Sequence, residues 1–444
     1  MAPEPTARAL RAALEEGRIT VRELVETCLA RIEADEPRIR AWAHLDRDYA
    51  LAQAEALDEA RRRGRPRGPL FGLPVGVKDI VDTADLPTEH GSPIFVGRRP
   101  TADAWLVGRL KAAGAVILGK TVTTEFAAFT PGPTRNPHDP ERTPGGSSSG
   151  SAAAVAAGMV PLAIGSQTNG SVIRPAAFCG VVGFKPTHGL VPRTGMLEQS
   201  PTLDHVGVFA RDLGDAALLA ETLVGFDPAD PATRPQAAPR LVRAVEEGLP
   251  VRPRLAIVRG PTWDRAEPAM REAMAELADA LGEAAVPLEL PEAFADAIEV
   301  HRTIWTAELA FRFGRLVAER GALVSERFRE LVAEGERVDA VAYQRALAHR
   351  TFLQRELAAL FHEIDAFLTP AAPGEAPKGL GSTGDPAFCT LWTLCGTPAL
   401  TLPLLTGPSG LPMGLQLVAD VGDDERLFRV AAWLRTTLAE ETAP

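Results

Sequence analysis

Thr143-Pro144-Gly145-Gly146-Ser147-Ser148-Ser149-Gly150-Ser151 runs without a break into the apolar stretch Ala152 to Ala157. A second cluster, Thr168-Asn169-Gly170-Ser171, follows the apolar stretch Val160 to Ile164. Serine set among glycines brings a hydroxyl and several bare backbone N–H groups to one point, which suits a nucleophile with its own oxyanion hole. Most Ser/Gly runs are flexible linkers. Here apolar flanks grip both clusters, so ordered elements are expected on either side of each.

Working outward, the chain has 444 residues, 45% of them apolar and 24% charged, an ordinary globular balance with enough apolar mass for a large core. Its 47 Lys and Arg against 58 Asp and Glu leave a net charge of −11. An acidic chain is a poor non-specific binder of nucleic acid or of an anionic membrane, so neither is expected as a partner. The basic run Arg61-Arg62-Arg63-Gly64-Arg65 reads as a solvated helix end. Cys28, Cys179, Cys389 and Cys395 form no CxxC pair and read as reduced, mostly buried thiols. The first residues carry neither a basic nor an apolar leader segment, and no apolar run reaches the length of a membrane span. A cytoplasmic location is the expectation. Eight histidines show no HExxH and no pairing with cysteine, so no metal site is expected.

Along the chain, Thr20 and Glu23 form a capping box ahead of a helix with apolar residues at Leu24, Val25, Cys28, Leu29 and Ile32. A second helix is expected over 47–63, closed by Gly64. Residues 73–81 read as a buried strand carrying a single lysine, Lys78. A helix over 105–113 and a strand over 115–118 follow, and 179–184 reads as a packed core segment. Past Asp227 the chain is rich in Pro and Ala before a strand at 255–258. Helices are expected over 266–281 and, with breaks, over 293–361. Strands at 366–369, 399–402 and 414–418 and a final helix over 425–438 complete the pattern. Strands alternating with helices, with no clear linker, predict one large α/β domain. Within 1–444, the N-terminal helices occupy 1–65, the catalytic core 66–210, a variable helical part 228–360, and a return to the core 361–444.

Two pattern matches fail on context. Gly114-Ala115-Val116-Ile117-Leu118-Gly119-Lys120-Thr121 fits the Walker A letters, but the space that should be a phosphate-cradling loop is filled by strand formers. Gly146-Ser147-Ser148-Ser149-Gly150 fits GxSxG, yet the residues before it are loop-like, where a nucleophile elbow needs a strand. Its Asp and His partners could be drawn only by free choice from Asp204, Asp365, His205 and His362.

If histidine is not the base, Lys78 is a candidate. A lysine in a strand of Val, Gly, Leu and Ile is costly unless paired or neutral, and burial lowers its pKa. A neutral amine is a competent general base. The competing reading is half of a buried ion pair with Asp79 or another carboxylate.

These residues resemble the amidase signature family: Thr-Pro-Gly-Gly-Ser-Ser-x-Gly-Ser-Ala-Ala-Ala-Val-Ala-Ala-Gly at 143–158, and Pro-Ala-Ala-Phe-Cys-Gly-Val-Val-Gly-Phe-Lys-Pro-Thr at 175–187. Weaker similarity extends to Gly207 and returns from Gly396 to Val418. The resemblance implies a central mixed β-sheet covered by helices on both faces. It implies Ser171 as nucleophile, Ser147 as relay after a cis peptide at Gly146–Ser147, and Lys78 as base. It also implies an oxyanion hole of backbone N–H groups from Thr168, Asn169, Gly170 and Ser171, with no cofactor. By the same resemblance, the segment from Gly384 to Leu394 borders the substrate pocket. Trp392, with Phe126 and Phe129, makes a partly aromatic, apolar site, and each of these could equally be core.

The chain departs from the common pattern at Ser149 and at Asn169, where glycine is usual. Gln167 replaces an acidic residue, and Val172-Ile173-Arg174 replaces the usual Ile-Arg-x order. The expected activity is hydrolysis of C–N bonds in small amides, with carbamates (urethanes) and esters as further substrates. The expected partner is that small molecule, and a homodimer is the assembly considered. Three alternatives stand beside it: the glutaminase-type subunit of a tRNA-dependent amidotransferase; a hydrolase of urea or carbamate derivatives, such as an allophanate or carboxybiuret hydrolase; and a binding protein that has lost catalysis. No basic surface marks the first, and the retained Lys78, Ser147 and Ser171 argue against the last.

Overall fold

A computed structural model describes residues 5–65 and 67–441. Eleven strands lie in one sheet: β1 Trp42–Leu45, β2 Pro74–Lys78, β3 Val116–Thr121, β4 Leu162–Gln167, β5 Val182–Lys185, β6 His205–Ala210, β7 Leu255–Arg259, β8 Ala285–Glu289, β9 Ala366–Pro370, β10 Ala399–Thr406 and β11 Pro412–Val418. Their spatial order is β1-β3-β2-β4-β6-β5-β10-β11-β9-β7-β8. Two parallel trios, β3-β2-β4 and β9-β7-β8, flank an antiparallel centre, and β1 adds an antiparallel edge. The sheet is therefore mixed.

Side chains alternate across each strand, so one strand feeds two layers. Val75, Val77, Leu162, Ile164, Leu255, Ile257, Leu415 and Leu417 face one core, packed by helices Trp105–Ala112, Leu213–Leu223, Pro268–Leu281 and Asp424–Glu441. Ala163 and Phe209 face the opposite side, under helices Val21–Ile39 and Ser149–Ala156. Ala256, Val258 and Phe367 also face that side, under helices Ala297–Arg320 and Ala387–Cys395. Burial on both faces explains why the inner strands read as continuous apolar runs without polar alternation. Lys78 falls on the second face, the parity opposite to Val75 and Val77.

The predicted strand over 73–81 is shorter, ending at Lys78, because the chain turns at Asp79 and Ile80 and only Val81 pairs again, with Met196. The 293–361 region resolves into helices Ala297–Arg320, Glu326–Gly335 and Ala340–Leu360. Strands β1, β6 and β8 go beyond the sequence pattern. β1 and β8 are short edge strands whose exposed positions include the apolar Ala43, Leu45, Val286 and Pro287, and β6 is a buried strand interrupted by Gly207.

Both decoys resolve. Val116–Thr121 is strand β3, and Lys120 is buried in it, donating to the Val81 carbonyl at 2.7 Å and the Thr88 hydroxyl at 2.6 Å. No strand precedes Ser148, which instead stands immediately before helix Ser149–Ala156. The four cysteines are buried free thiols. Among the described residues, no helix is long and apolar enough to cross a membrane, and no group of three or more His, Cys, Asp or Glu could hold a metal ion.

Candidate functional site

Lys78 ends β2 with its side chain fully buried. Its Nζ lies 2.7 Å from Ser147 Oγ and 2.9 Å from Ser166 Oγ. No carboxylate lies within ion-pair distance of it among the described residues. Asp79 instead faces Lys120, at 3.5 Å, and accepts from the Glu89 amide. The ion-pair reading of Lys78 with Asp79 is thereby set aside. Burial holds the Lys78 pKa well below the usual lysine value, and the charge of Asp204 only partly offsets this.

Ser147 follows a cis peptide at Gly146–Ser147 and is almost fully buried. The Gly146 carbonyl is held by Arg174 Nη2 at 2.7 Å, and the same nitrogen donates to Thr383 Oγ1 at 3.0 Å. The serine-glycine run must pass close to other backbone. A Cβ on Gly150 would sit 2.2 Å from the Ala41 carbonyl oxygen and 2.4 Å from the Val122 nitrogen. Ser148 is occupied structurally, its Oγ bonded to the backbone of Ser166 at 3.2 Å.

Ser171 sits in the turn between β4 and helix Ile173–Cys179, 8% exposed. Gln167 Oε1 accepts from the amides of Val172 at 2.8 Å and Ile173 at 3.0 Å, so the residue replacing the usual acid works as a neutral cap for that helix. The carbonyls of the loop are tied back one by one: Thr168 to His301 Nε2 at 2.9 Å, Asn169 to Thr393 Oγ1 at 2.5 Å, Gly170 to the Arg174 amide at 3.0 Å, and Ser171 to the Ser148 amide at 3.3 Å. The amides of Asn169, Gly170 and Ser171 find no acceptor among the described residues. Such a loop can donate to an incoming oxygen. Asn169 keeps its own side chain engaged with Thr390 at 2.7 Å.

Ser171 Oγ makes no hydrogen bond among the described residues, to Ser147 or to any other group. The Ser148–Ser171 backbone bond nevertheless joins the two serine segments, and Lys78 lies beneath Ser147. The members of the expected triad are thus neighbours, with one contact, Lys78 to Ser147, formed.

A cavity of about 240 Å³ opens beside Asn169, walled by Phe129, Ile298, His301 and Trp305, with Asp385 at its edge paired to Arg265 at 3.0 Å. Of the three aromatic residues expected at the pocket, Phe129 lies in this wall. Phe126 does not: its ring is fully buried against Phe95, Phe313 and Phe328. Trp392 packs against Phe367 and lines a separate small void with Val258 and Leu391. Both rings serve the core because the sheet and helix Ala297–Arg320 close over them. Lys78, Ser147 and Ser171 line neither the cavity beside Asn169, which reaches the serine loop through that residue, nor a larger hollow of about 700 Å³ at Leu29, Trp42 and Pro133.

Sequence reasoning missed Ser166, the second hydroxyl on Lys78. Its place between Gly165 and Gln167, two residues before the Thr168 cluster, was the available signal. It also missed Asp204 as a support. That carboxylate accepts from Thr168 Oγ1 at 2.6 Å and from the amides of Gln199 at 2.8 Å and Ser200 at 3.0 Å, and burial pushes its pKa up to about 6. No local signal marked His301.

A family model described as Amidase matches residues 23–428. A glutamyl-tRNA(Gln) amidotransferase subunit from Chloroflexus aurantiacus is 38% identical over 474 residues, covering 97% of this chain and 96% of its own. Among solved structures, the native peptide amidase from Stenotrophomonas maltophilia is 33% identical with a TM-score of 0.85, covering 98% of this chain and 96% of that one. A chain from a structure described as an unexpected vestigial protein complex, revealing the origins of an s-triazine catabolic enzyme, is 32% identical with a TM-score of 0.91 and 98% coverage of both.

Proposed function

This chain belongs to the amidase family, whose members hydrolyse carbon–nitrogen bonds other than peptide bonds, and we propose that it acts on small amides, and on carbamates and esters of the same shape, through an acyl-enzyme on Ser171. One observation carries the reading: a fully buried lysine without a carboxylate partner, 2.7 Å from the hydroxyl of Ser147.

Burial keeps the Lys78 amine neutral, with one lone pair and two N–H bonds. Ser166 Oγ takes one N–H, which leaves the lone pair for the Ser147 hydroxyl proton. As Ser171 Oγ attacks the substrate carbonyl, its proton passes to Ser147 and that of Ser147 passes to Lys78. The new C–O bond pushes charge onto the carbonyl oxygen, which the amides of the 168–171 loop receive, each donor worth about 3 kcal/mol of barrier. On collapse the C–N bond breaks, Ser147 gives a proton to the leaving nitrogen, and Lys78 returns one to Ser147. Amines leave badly unless protonated, so the relay accounts for C–N cleavage. Water then attacks the acyl-enzyme by the same route. It releases an acid, or from a carbamate a carbonic acid monoester that loses carbon dioxide to leave the alcohol.

Phe129, Ile298 and Trp305 give the cavity an apolar side that suits aryl or alkyl groups on the substrate, while Arg265, Arg302 and Asp385 line the rest of it. A second reading, a glutaminase-type subunit that passes ammonia to a partner, is favoured by the 38% identity with the Chloroflexus aurantiacus amidotransferase chain. The test is arylamine release from a matched aryl amide and aryl carbamate, with Ser171→Ala as control and ammonia release from glutamine measured alongside. Ser171-dependent arylamine is the expected result, and the amide-to-carbamate ratio gives the bond preference. Ammonia from glutamine without arylamine from either substrate would replace this reading with the second.

A further inference from the structure

Helix Ala297–Arg320 presents His301, Trp305 and Glu308 four and then three residues apart, the spacing that puts side chains on one helical face. All three are buried, and each hydrogen-bonds the 168–171 loop or the 199–202 segment that supports it. His301 Nε2–H donates to the Thr168 carbonyl at 2.9 Å. Trp305 Nε1–H donates to Gln199 Oε1 at 2.9 Å. Glu308 accepts from the hydroxyls of Ser200 and Thr202 and, at 2.7 Å, from that of Tyr343. Gln199 and Ser200 in turn hold Asp204, which holds the Thr168 hydroxyl.

Thr168 is therefore fixed on both sides, its carbonyl by the helix and its hydroxyl by a carboxylate that the same helix supports. A peptide carbonyl and the next residue's N–H share one rigid plane. Fixing the Thr168 carbonyl therefore sets the direction of the Asn169 amide. We propose that His301, through the Thr168 carbonyl, is a positioning residue that aims the oxyanion-loop amides, with Trp305 and Glu308 bracing the same loop from behind. The role rests on the reading of Ser171 as nucleophile. Burial lowers the His301 pKa to about 4, so the ring is neutral at ordinary pH, and a carbonyl acceptor requires the proton on Nε2. The helix also walls the cavity beside Asn169 with Ile298, His301 and Trp305. One rigid element thus carries both the substrate wall and the alignment of the amides.

A buried histidine that merely satisfies the nearest carbonyl would cost stability when replaced and leave the chemistry of folded molecules alone. The two roles separate in the rate at which an alkyl fluorophosphonate labels Ser171, followed by intact mass. In that reaction the Ser171 O–P bond forms, fluoride leaves, and the serine proton passes to Ser147, so no natural substrate is needed. Wild type should be labelled and Ser171→Ala should not. His301→Phe should slow labelling by up to about 10²-fold at saturating probe without weakening probe binding. His301→Gln, which keeps a side-chain N–H donor, should recover most of that loss. Should His301→Phe fail to fold, Trp305→Phe, which removes one N–H and keeps the ring packing, decides through a smaller slowing of the same step. Labelling of folded His301→Phe at the wild-type rate, or equal slowing in His301→Gln, overturns the proposal alone. An unlabelled wild type overturns it together with the reading of Ser171.

Discussion

The segment 143–187 and the helix Ala297–Arg320 meet at Thr168, yet they record their work in the sequence in opposite ways. In the first, each constraint is local and falls on the backbone. Gly150 has no room for a Cβ, Gly145 takes a φ of 80°, and Ser171 sits in a tight strand-to-helix turn. Such constraints restrict residue type at fixed spacing, so they leave a pattern. In the second, His301 and Glu308 act through side-chain hydrogen bonds to Thr168, Ser200 and Thr202, each more than a hundred positions away. A helix accepts many residues at those positions, and nothing in its periodicity separates a brace from a core side chain. Backbone-defined sites are legible, and side-chain braces are not.

The contrast breaks first, and hardest, if the serine segments are not the seat of chemistry. Ser171→Ala is expected to remove turnover by on the order of 10⁴-fold or more with the fold retained, measured as arylamine release beside a thermal melt. Lys78→Met should come next, at roughly 10²–10⁴-fold. The pH profile gives the sign. A neutral base makes kcat/KM rise with pH and level off above the Lys78 pKa, which burial sets well below the usual lysine value. A profile that falls as pH rises across that range would mean the lysine acts charged.

Phe126 and Phe129 sharpen the same contrast, being three residues apart and put to different uses. Phe126→Ala, in a fully buried ring cluster, should cost about 3–5 kcal/mol of stability by denaturant unfolding. Phe129→Ala should leave stability closer to wild type and raise KM for aryl amides. The smallest effect expected is at Gln167. Gln167→Ala leaves the Val172 and Ile173 amides unpaired, at about 1–3 kcal/mol, and should lower kcat through the Ser171 turn. No change in either would show that the turn holds without its cap.

How far the sequence could be read follows from the same physics. The inner strands were legible because two-sided burial demands apolar runs, and β2 stood out by its lone lysine. β1 and β8, at the sheet edges, are four and five residues long and put apolar residues such as Leu45 and Val286 on the solvent side, so no apolar–polar alternation marks them. At the site, Lys78, Ser147 and the 168–171 loop were the candidates the sequence offered, and the structure sets them side by side. Ser166, Asp204 and His301 could not be given roles, and Phe126 and Trp392 were placed at a pocket they do not line.

The sequence by itself determined the family, the α/β class and the two serine-glycine turns, because glycine and small residues at close backbone approaches admit few substitutes. Only the tertiary structure decided that Asp79 belongs to Lys120 and not to Lys78, which phenylalanine meets the cavity, and which helix holds Thr168. Those outcomes depend on strand order across an eleven-stranded sheet, which sets Asp79 against Lys120 and brings Thr168 to His301, 133 positions away. Distances of that kind are set by packing of the whole chain, and no local pattern encodes them.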